Sequence, residues 1–288
     1  MIRQITIIGT GLIGGSLGLA LRSNKFKGKI IGCDRPEVLR RAKRLRSIDH
    51  GTDDPLTACQ GSDVIVLATP VGSIIELITK LAPRLNPNAV VTDVGSTKIE
   101  IALRARQAFG EDAPRRFLPG HPMAGKENSG LKYADPVLFR GAVWFLTPLV
   151  GKNLPGSAGR EYVSWLKRIG AKVVFLDPAT HDQLCAWISH VPQMVSTALA
   201  AGLVDEYGEN APLLESGGRA LREMTRIAAS PYSMWRDIAL TNKKSISHAL
   251  LKLEQRLAHI RENLDTRELE NEFNRAHKLR NVQSPRRH

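Results

Sequence analysis

Gly9-Thr10-Gly11-Leu12-Ile13-Gly14 follows a short apolar run and opens a helical pattern. Glycines at this spacing permit a tight turn and let a pyrophosphate approach the backbone. The helix N-terminus behind them, with Leu12 and Ile13, offers N–H donors and positive potential. Asp34 ends the second apolar run 20 residues beyond Gly14. A carboxylate there suits ribose hydroxyls and repels a 2′-phosphate, so the pattern predicts NAD. Arg35 next door leaves NADP open, since a guanidinium accommodates that phosphate. Without a ligand, the same glycines would serve only a strand–turn–helix.

Further polar groups fall at the ends of predicted strands, the edge where ligands collect in open α/β sheets. Thr69-Pro70 either caps a helix or touches the cofactor. Ser96, within Asp93-Val94-Gly95-Ser96-Thr97-Lys98, is either the N-cap of a 97–109 helix or a substrate contact. His121, held by Pro122 on what reads as a short loop, is a candidate proton acceptor, although a lone histidine is more often structural. In Ser189-His190-Val191-Pro192-Gln193 a proline interrupts a helical stretch, at a cost of roughly 3 kcal/mol. Such a kink marks either a ligand site or a packing adjustment. Arg226, in an amphipathic helix beside Ile227 and Ala228, is either a surface charge or a planar fork for a carboxylate.

The elements that must position these groups divide the chain in two. Ile5–Ile8, Lys29–Cys33, Val64–Ala68, Ala89–Thr92 and Val143–Leu146 are unbroken Ile/Val-rich runs, as in parallel strands buried on both faces. Helical patterns such as 71–81 and 99–109 lie between them, so the expectation is an α/β doubly wound sheet. Lys172–Leu176 is expected to complete the same sheet. From Asp177-Pro178, a strong helix start, only helical periodicity follows, over 179–207, 219–229, 232–241, 243–263 and 267–279. The expected domains are therefore 1–177, binding dinucleotide, and 178–288, all helical, for substrate binding and dimerisation.

The 288 residues carry a net charge of +13, concentrated in Arg35–Arg46 and beyond Glu272. This reads as a solvated helix face and a tail, or as a field drawing in small anions. No helix-turn-helix or aromatic-interleaved basic patch argues for nucleic acid. The 18 uncharged residues Gln4–Leu21 approach the length of a membrane span, but five glycines interrupt them, so no membrane segment is expected. Three scattered cysteines give neither a disulfide framework nor a zinc spacing, which points to a reducing, cytoplasmic setting and no metal. Leu250, Leu253, Leu257, Ile260 and Leu264 form an apolar stripe suited to a partner subunit or to the domain's own core.

Five of these motifs occur in one order: Gly11-Leu12-Ile13-Gly14-Gly15-Ser16; Asp93-Val94-Gly95-Ser96; Gly120-His121-Pro122-Met123-Ala124-Gly125; Ser189-His190-Val191-Pro192; and Thr225-Arg226-Ile227-Ala228, followed by Met234-Trp235-Arg236-Asp237. Together, over the chain to about residue 265, they resemble the prephenate/arogenate dehydrogenase family. The resemblance implies a Rossmann domain, a helical dimerisation domain forming a homodimer, and oxidative decarboxylation of a small-molecule substrate with NAD(P). It implies that His121 is the catalytic base, with Ser96 holding the hydroxyl and histidine in place. It implies that Arg226 anchors a carboxylate, Glu127 is an acidic gate, and His190 belongs to the kinked-helix site.

Two departures stand out. Gln193 occupies the place of a second, substrate-contacting histidine, which leaves prephenate and arogenate both open. Arg219 stands where relatives often keep glycine. The chain ends at His288, so no regulatory ACT domain, and no tyrosine control through one, is expected. A hydroxyacid or imine-reducing enzyme of the same layout would not account for the His121-Pro122 and Thr225-Arg226 pairing.

Overall fold

Gln4–Ile8 (β1) is the hub of a six-stranded parallel sheet in the computed structural model, which describes residues 1–125, 130–209 and 216–283. It lies between Lys29–Cys33 (β2) and Val64–Leu67 (β4), with Ile5 opposite both Ile30 and Val64. His50–Thr52 (β3) extends one side; Val90–Asp93 (β5) and Phe117–Leu118 (β6) extend the other, giving the order β3-β2-β1-β4-β5-β6. Leu12–Ser23 (α1), Pro36–Arg44 (α2), Pro55–Cys59 (α3), Val71–Leu81 (α4), Ile99–Phe109 (α5) and the short Ala113–Arg116 (α6) fill the connections. Two large apolar clusters share the sheet: Ile5 and Ile7 belong to one, Ile8, Ile65 and Leu67 to the other. That double cover is why the strands read as unbroken apolar runs. The uncharged Gln4–Leu21 is accordingly strand β1, the glycine turn and most of α1, and among the described residues no helix is long and apolar enough to cross a membrane.

The last two apolar runs do not join this sheet, which corrects the expectation for Lys172–Leu176. Val143–Leu146 (β8) and Lys172–Phe175 (β9) pair in parallel across Gly156–Arg168 (α7), and Gly120–Pro122 (β7) runs antiparallel to β8. The result is a separate sheet, β7-β8-β9. Pro119 explains the break. It follows the two-residue β6, has no N–H to continue a ladder, and its carbonyl accepts from Thr147 N at 2.9 Å. β9 alternates exposed and half-buried residues, as an edge strand does. His121 therefore stands in a strand, not on a loop.

The helical region begins as expected, with Asp177 Oδ1 accepting from Ala179 N (3.1 Å) and Thr180 N (2.9 Å) to cap Pro178–Cys185 (α8). The single helix expected over 179–207 is interrupted by a π-helical turn, Ala186–His190, before Val191–Tyr207 (α9). Pro192 supplies the cause: without an N–H it cannot serve the carbonyl one turn back, and the widened turn absorbs the misfit. Gly218–Thr225 (α10), Tyr232–Thr241 (α11), Lys243–Glu262 (α12) and Arg267–Gln283 (α13) complete the domain. Its buried core is small, formed by Ala186, Val191, Ile238, Ile246 and Ala249. The apolar stripe of α12 and the residues just after it divides: Leu250 and Leu253 pack on that core, whereas Leu257 and, past the helix end, Leu264 stay 55% and 64% exposed.

Candidate active site

The C-terminal edge of the main sheet opens into a cavity of about 470 Å³. The glycine turn, Thr69-Pro70, Ser96 and His121 line it from the sheet side, and Pro231, Ser233, Met234 and Ile238 from the helical side. The three fingerprint glycines serve different ends. Gly9 has φ +93, and a Cβ there would strike the Ala68 carbonyl; a Cβ on Gly14 would strike the Gly9 carbonyl. Gly11 is different, because a Cβ there would meet nothing within 4 Å. Among the described residues the space before Gly11, at the N-terminus of α1, is therefore open. Thr69 Oγ1 adds a buried hydroxyl with no hydrogen-bond partner among the described residues. Pro70 is the N-cap residue of α4, and both Thr69 and Pro70 line the cavity.

Behind the cavity wall lies a buried polar network. His121, 7% exposed, has Nδ1 2.9 Å from His181 Nε2, and His181 Nδ1 lies 2.8 Å from Asp182 Oδ1. Asp182 also accepts from the backbone N–H of Lys98 (2.7 Å) and of Ile99 (2.9 Å). It therefore caps α5 from helix α8, and Ser96 is free of the capping role that the sequence left open for it. Lys98 itself is fully buried, pairs with Asp93 and donates to the Gly120 carbonyl at 2.7 Å. Asp93 Oδ1 accepts from Gly120 N at 3.1 Å. This ion pair clamps the residue before His121 and so fixes β7 against the end of β5. Burial pushes the Asp93 carboxyl up and the Lys98 ammonium down, while their contact opposes both shifts.

Burial, followed by the neighbouring His181 and Lys98, pushes His121 well below the ordinary histidine value, so the ring is neutral. His181 is lowered too, chiefly by burial, against the pull of Asp182. The carboxylate can only accept, so His181 carries its proton on Nδ1 and accepts at Nε2. His121 must then donate from Nδ1, which leaves the lone pair on its Nε2. Cys185, one helical turn after His181, is buried 3.4 Å from His181 Nε2 and 3.9 Å from His121 Nδ1. Burial pushes its thiol up to about 12, so it stays protonated.

The remaining sequence candidates scatter. Asp34 Oδ2 accepts from Thr10 N (2.8 Å) and Oδ1 from Arg35 N (2.8 Å), bracing the glycine turn. Arg35 is exposed and lies 3.4 Å from Glu37. Gln193 is 4% exposed, and its Nε2 donates to the Ile227 carbonyl (2.9 Å) and Thr197 Oγ1 (3.2 Å) inside the helical domain. Arg226 is exposed and begins a 3-10 turn, Arg226–Ala229, instead of lying within a regular helix, and it is not among the cavity-lining residues. His190 is 1% exposed: Asn242 Nδ2 donates to its Nδ1 at 3.2 Å, and its Nε2 has no partner among the described residues. Glu127 lies outside the described residues. The sequence reading missed His181, Asp182, Lys98 and Asp93. One signal was available, because the His181-x-x-x-Cys185 spacing places both side chains on one helix face.

Against this geometry, a family model described as prephenate dehydrogenase, nucleotide-binding domain, matches residues 17–175, and the corresponding dimerization-domain model matches residues 177–278. The chain belongs to the prephenate dehydrogenase family. It is 35% identical to a prephenate dehydrogenase of Bacillus subtilis, over 93% of this chain and 72% of that protein. It superposes on prephenate dehydrogenase from A. aeolicus, a crystal structure in complex with hydroxyphenyl propionate and NAD+, with TM-score 0.86 and 33% identity over 98% and 97% of the chains. Synechocystis arogenate dehydrogenase is similar as well, with TM-score 0.80 and 30% identity over 98% of this chain and 100% of that one.

In this family member the neutral His190 makes stability depend on pH. Burial pushes it from an ordinary 6.5 to about 4, with a smaller contribution from His181 opposed by Asp182. The unfolded chain therefore binds a proton that the folded chain refuses as pH falls from 6.5. The stabilisation is present above pH 6.5, erodes through the interval and is gone below about 4. The loss amounts to about 3 kcal/mol. Urea unfolding between pH 7 and 4 should show this fall in the wild type and a flatter profile in His190→Asn. Equal slopes would assign the acid loss to other groups.

Proposed function

We propose that this protein oxidises and decarboxylates prephenate, with NAD as hydride acceptor, to give 4-hydroxyphenylpyruvate. The observation that carries the reading is the line His121–His181–Asp182, which leaves a neutral imidazole with its acceptor nitrogen on the side away from the buried pair, at the wall of the nucleotide-side cavity. Prephenate bears a ring hydroxyl opposite a quaternary carbon that carries a carboxylate. His121 Nε2 takes the hydroxyl proton as the carbon–hydrogen electron pair departs as hydride. The carbon–carbon bond to the carboxylate breaks, its electrons complete the aromatic ring and leave a negative charge on the ring oxygen, which takes the proton back from His121, and carbon dioxide leaves. NAD, when bound, supplies the hydride acceptor. Aromatisation drives the reaction, so the protein's task is orientation and the removal and return of one proton.

The other roles follow from position. The open space at Gly11, with Leu12 and Ile13 behind it, suits the pyrophosphate; the Thr69 hydroxyl beside Pro70, without a partner among the described residues, offers a further contact; Asp34, just past β2, suits the ribose. Ser96 lines the same cavity as His121 and orients the substrate hydroxyl. His190 Nε2 is buried with no partner among the described residues, and we assign His190 to the substrate side of the kinked-helix site. Gln193 acts indirectly, by holding the turn that carries Arg226, which we assign to a substrate carboxylate. Replacing Arg226 by Ala should raise the KM for substrate roughly ten- to a hundredfold, the equivalent of one charged hydrogen-bonding group, with little change in kcat. An unchanged KM would remove Arg226 from the site.

We place the domain border at Asp177 and assign a homodimer built through the helical domain. The small helical core, together with exposed Trp187, Ile188, Leu257 and Leu264, supports that assembly. Light scattering near the 31.7 kDa of one chain would overturn it. Three buried free cysteines fit a cytoplasmic setting. NADH formation with prephenate and with arogenate, each against NAD and NADP, tests the whole reading. Greater efficiency with prephenate and NAD supports it. Preference for arogenate would make tyrosine the direct product, a second reading favoured by the likeness to the Synechocystis enzyme. Turnover of neither sinks both.

A further inference from the structure

His121 Nδ1, His181 Nε2 and Cys185 Sγ form a triangle with sides of 2.9, 3.4 and 3.9 Å. A triangle with these sides has its centre about 2.0 Å from each corner. Zinc–nitrogen bonds are about 2.0–2.1 Å and zinc–thiolate bonds about 2.3 Å, so an ion slightly off that centre satisfies all three atoms. The donors come from two elements held rigidly, β7 by the Lys98–Asp93 clamp and α8 by its own helical turn. Asp182 already sits on the far nitrogen of His181, the carboxylate–histidine arrangement that orients a metal-bound imidazole.

The geometry points to an inhibitory site for a soft divalent cation, zinc foremost, formed by His121, His181 and Cys185. Two imidazoles and a thiolate select zinc or copper over magnesium or manganese. The proton balance shows how such an ion would act. Cys185 loses its S–H proton to solvent as the metal–sulfur bond forms. His181 already presents a lone pair at Nε2 and keeps its proton on Nδ1. His121 must surrender Nδ1 to the metal, so its proton moves to Nε2. No oxidant or reductant is involved. The nitrogen that was the acceptor becomes a donor, and the ring can no longer take a proton from substrate. His121, the least buried of the three, borders the cavity and marks the route of entry.

Inhibition therefore falls on kcat, while NAD and substrate still bind. The site stands on geometry alone; only its effect on turnover rests on His121 being the base. Cys185 has no part in the proposed reaction, so Cys185→Ala isolates the metal from the chemistry. Cobalt added to the metal-free protein should bind once per chain and give a thiolate-to-cobalt charge-transfer absorption, absent in Cys185→Ala and in Cys185→Ser. Absence of that band in the wild type, or its persistence in both variants, overturns the site. In turnover assays zinc should lower kcat of the wild type reversibly, with recovery on adding EDTA and no effect of magnesium. Cys185→Ala should keep its basal rate and need at least ~10-fold more zinc for equal inhibition, since losing a direct ligand costs no less than losing an outer-shell partner. Cobalt bound as expected with turnover unaffected by zinc would leave the site standing and overturn its inhibitory role, and with it His121 as the base. A wild type inactive on both substrates would sink the proposed function and leave the cobalt result to decide the site.

Discussion

His121→Asn should lower kcat about 10²- to 10⁴-fold, the contribution of a positioned general base, while the KM for substrate and the affinity for NAD change little. Asparagine is close to the size of the near half of the imidazole, and its amide can still donate to His181 Nε2, which lies 2.9 Å from His121 Nδ1 in the wild type. What it lacks is a lone pair basic enough to accept the hydroxyl proton. The NAD contacts proposed at Gly11 and the N-terminus of α1 are made by backbone, which the substitution leaves in place. Steady-state kinetics, with NAD affinity measured separately, separate the two effects. Parallel losses in kcat and in binding would mean that His121 chiefly supports the substrate pocket and that the proton goes elsewhere.

How much of this site the sequence discloses depends on how local each interaction is. The glycine turn is legible as a local pattern, although the carbonyl that excludes a side chain at Gly9 belongs to the distant Ala68. The parallel strands are legible as apolar runs because both faces of the sheet are covered. Which sheet a run joins is not a property of the run. Val143–Leu146 and Lys172–Phe175 carry an apolar run like those of the main sheet yet pair only with each other and with β7. The deciding residue, Pro119, acts by what it cannot donate, and it lies far from both.

The polar groups that position His121 are hidden for a related reason. Asp182 meets Lys98 N across 84 residues, and Lys98 meets Gly120 across 22. A local reading of Ser96 as a cap is reasonable, because nothing near it reveals that a carboxylate from α8 already caps that helix. Gln193 shows the converse: its type suits a ligand, but the donors it offers are spent on Ile227 and Thr197. The proline kink at 192 is legible and real, although it takes the form of a π-helical turn that buries His190.

Asp182→Asn tests whether the buried line sets the tautomer or merely fills space. The carboxylate accepts from His181 Nδ1 and from two backbone N–H groups of α5, and it is wholly buried. An asparagine keeps the shape and one acceptor oxygen but places an N–H₂ where an acceptor was. With that oxygen in the Oδ2 position, accepting from Ile99 N, the amide nitrogen replaces Oδ1, which serves both Lys98 N and His181 Nδ1, and it can bond His181 only if that ring moves its proton to Nε2. That proton then points at His121 Nδ1, which must become the acceptor. The His121 proton transfers to Nε2, and the base is lost without any change in the residue that performs it. By analogy with the tautomer-fixing carboxylate of hydrolase triads, kcat should fall roughly 10³- to 10⁴-fold, with substrate KM and NAD affinity nearly intact. Loss of charge-assisted bonds should also lower stability by about 1–3 kcal/mol, so activity is to be measured well below the variant's unfolding temperature. A fall in kcat that tracks the unfolded fraction, and recovers on cooling, would reduce Asp182 to a helix cap. A fall that persists in the fully folded variant would make the carboxylate, two side chains away from the cavity, the group that decides which nitrogen of His121 is the base.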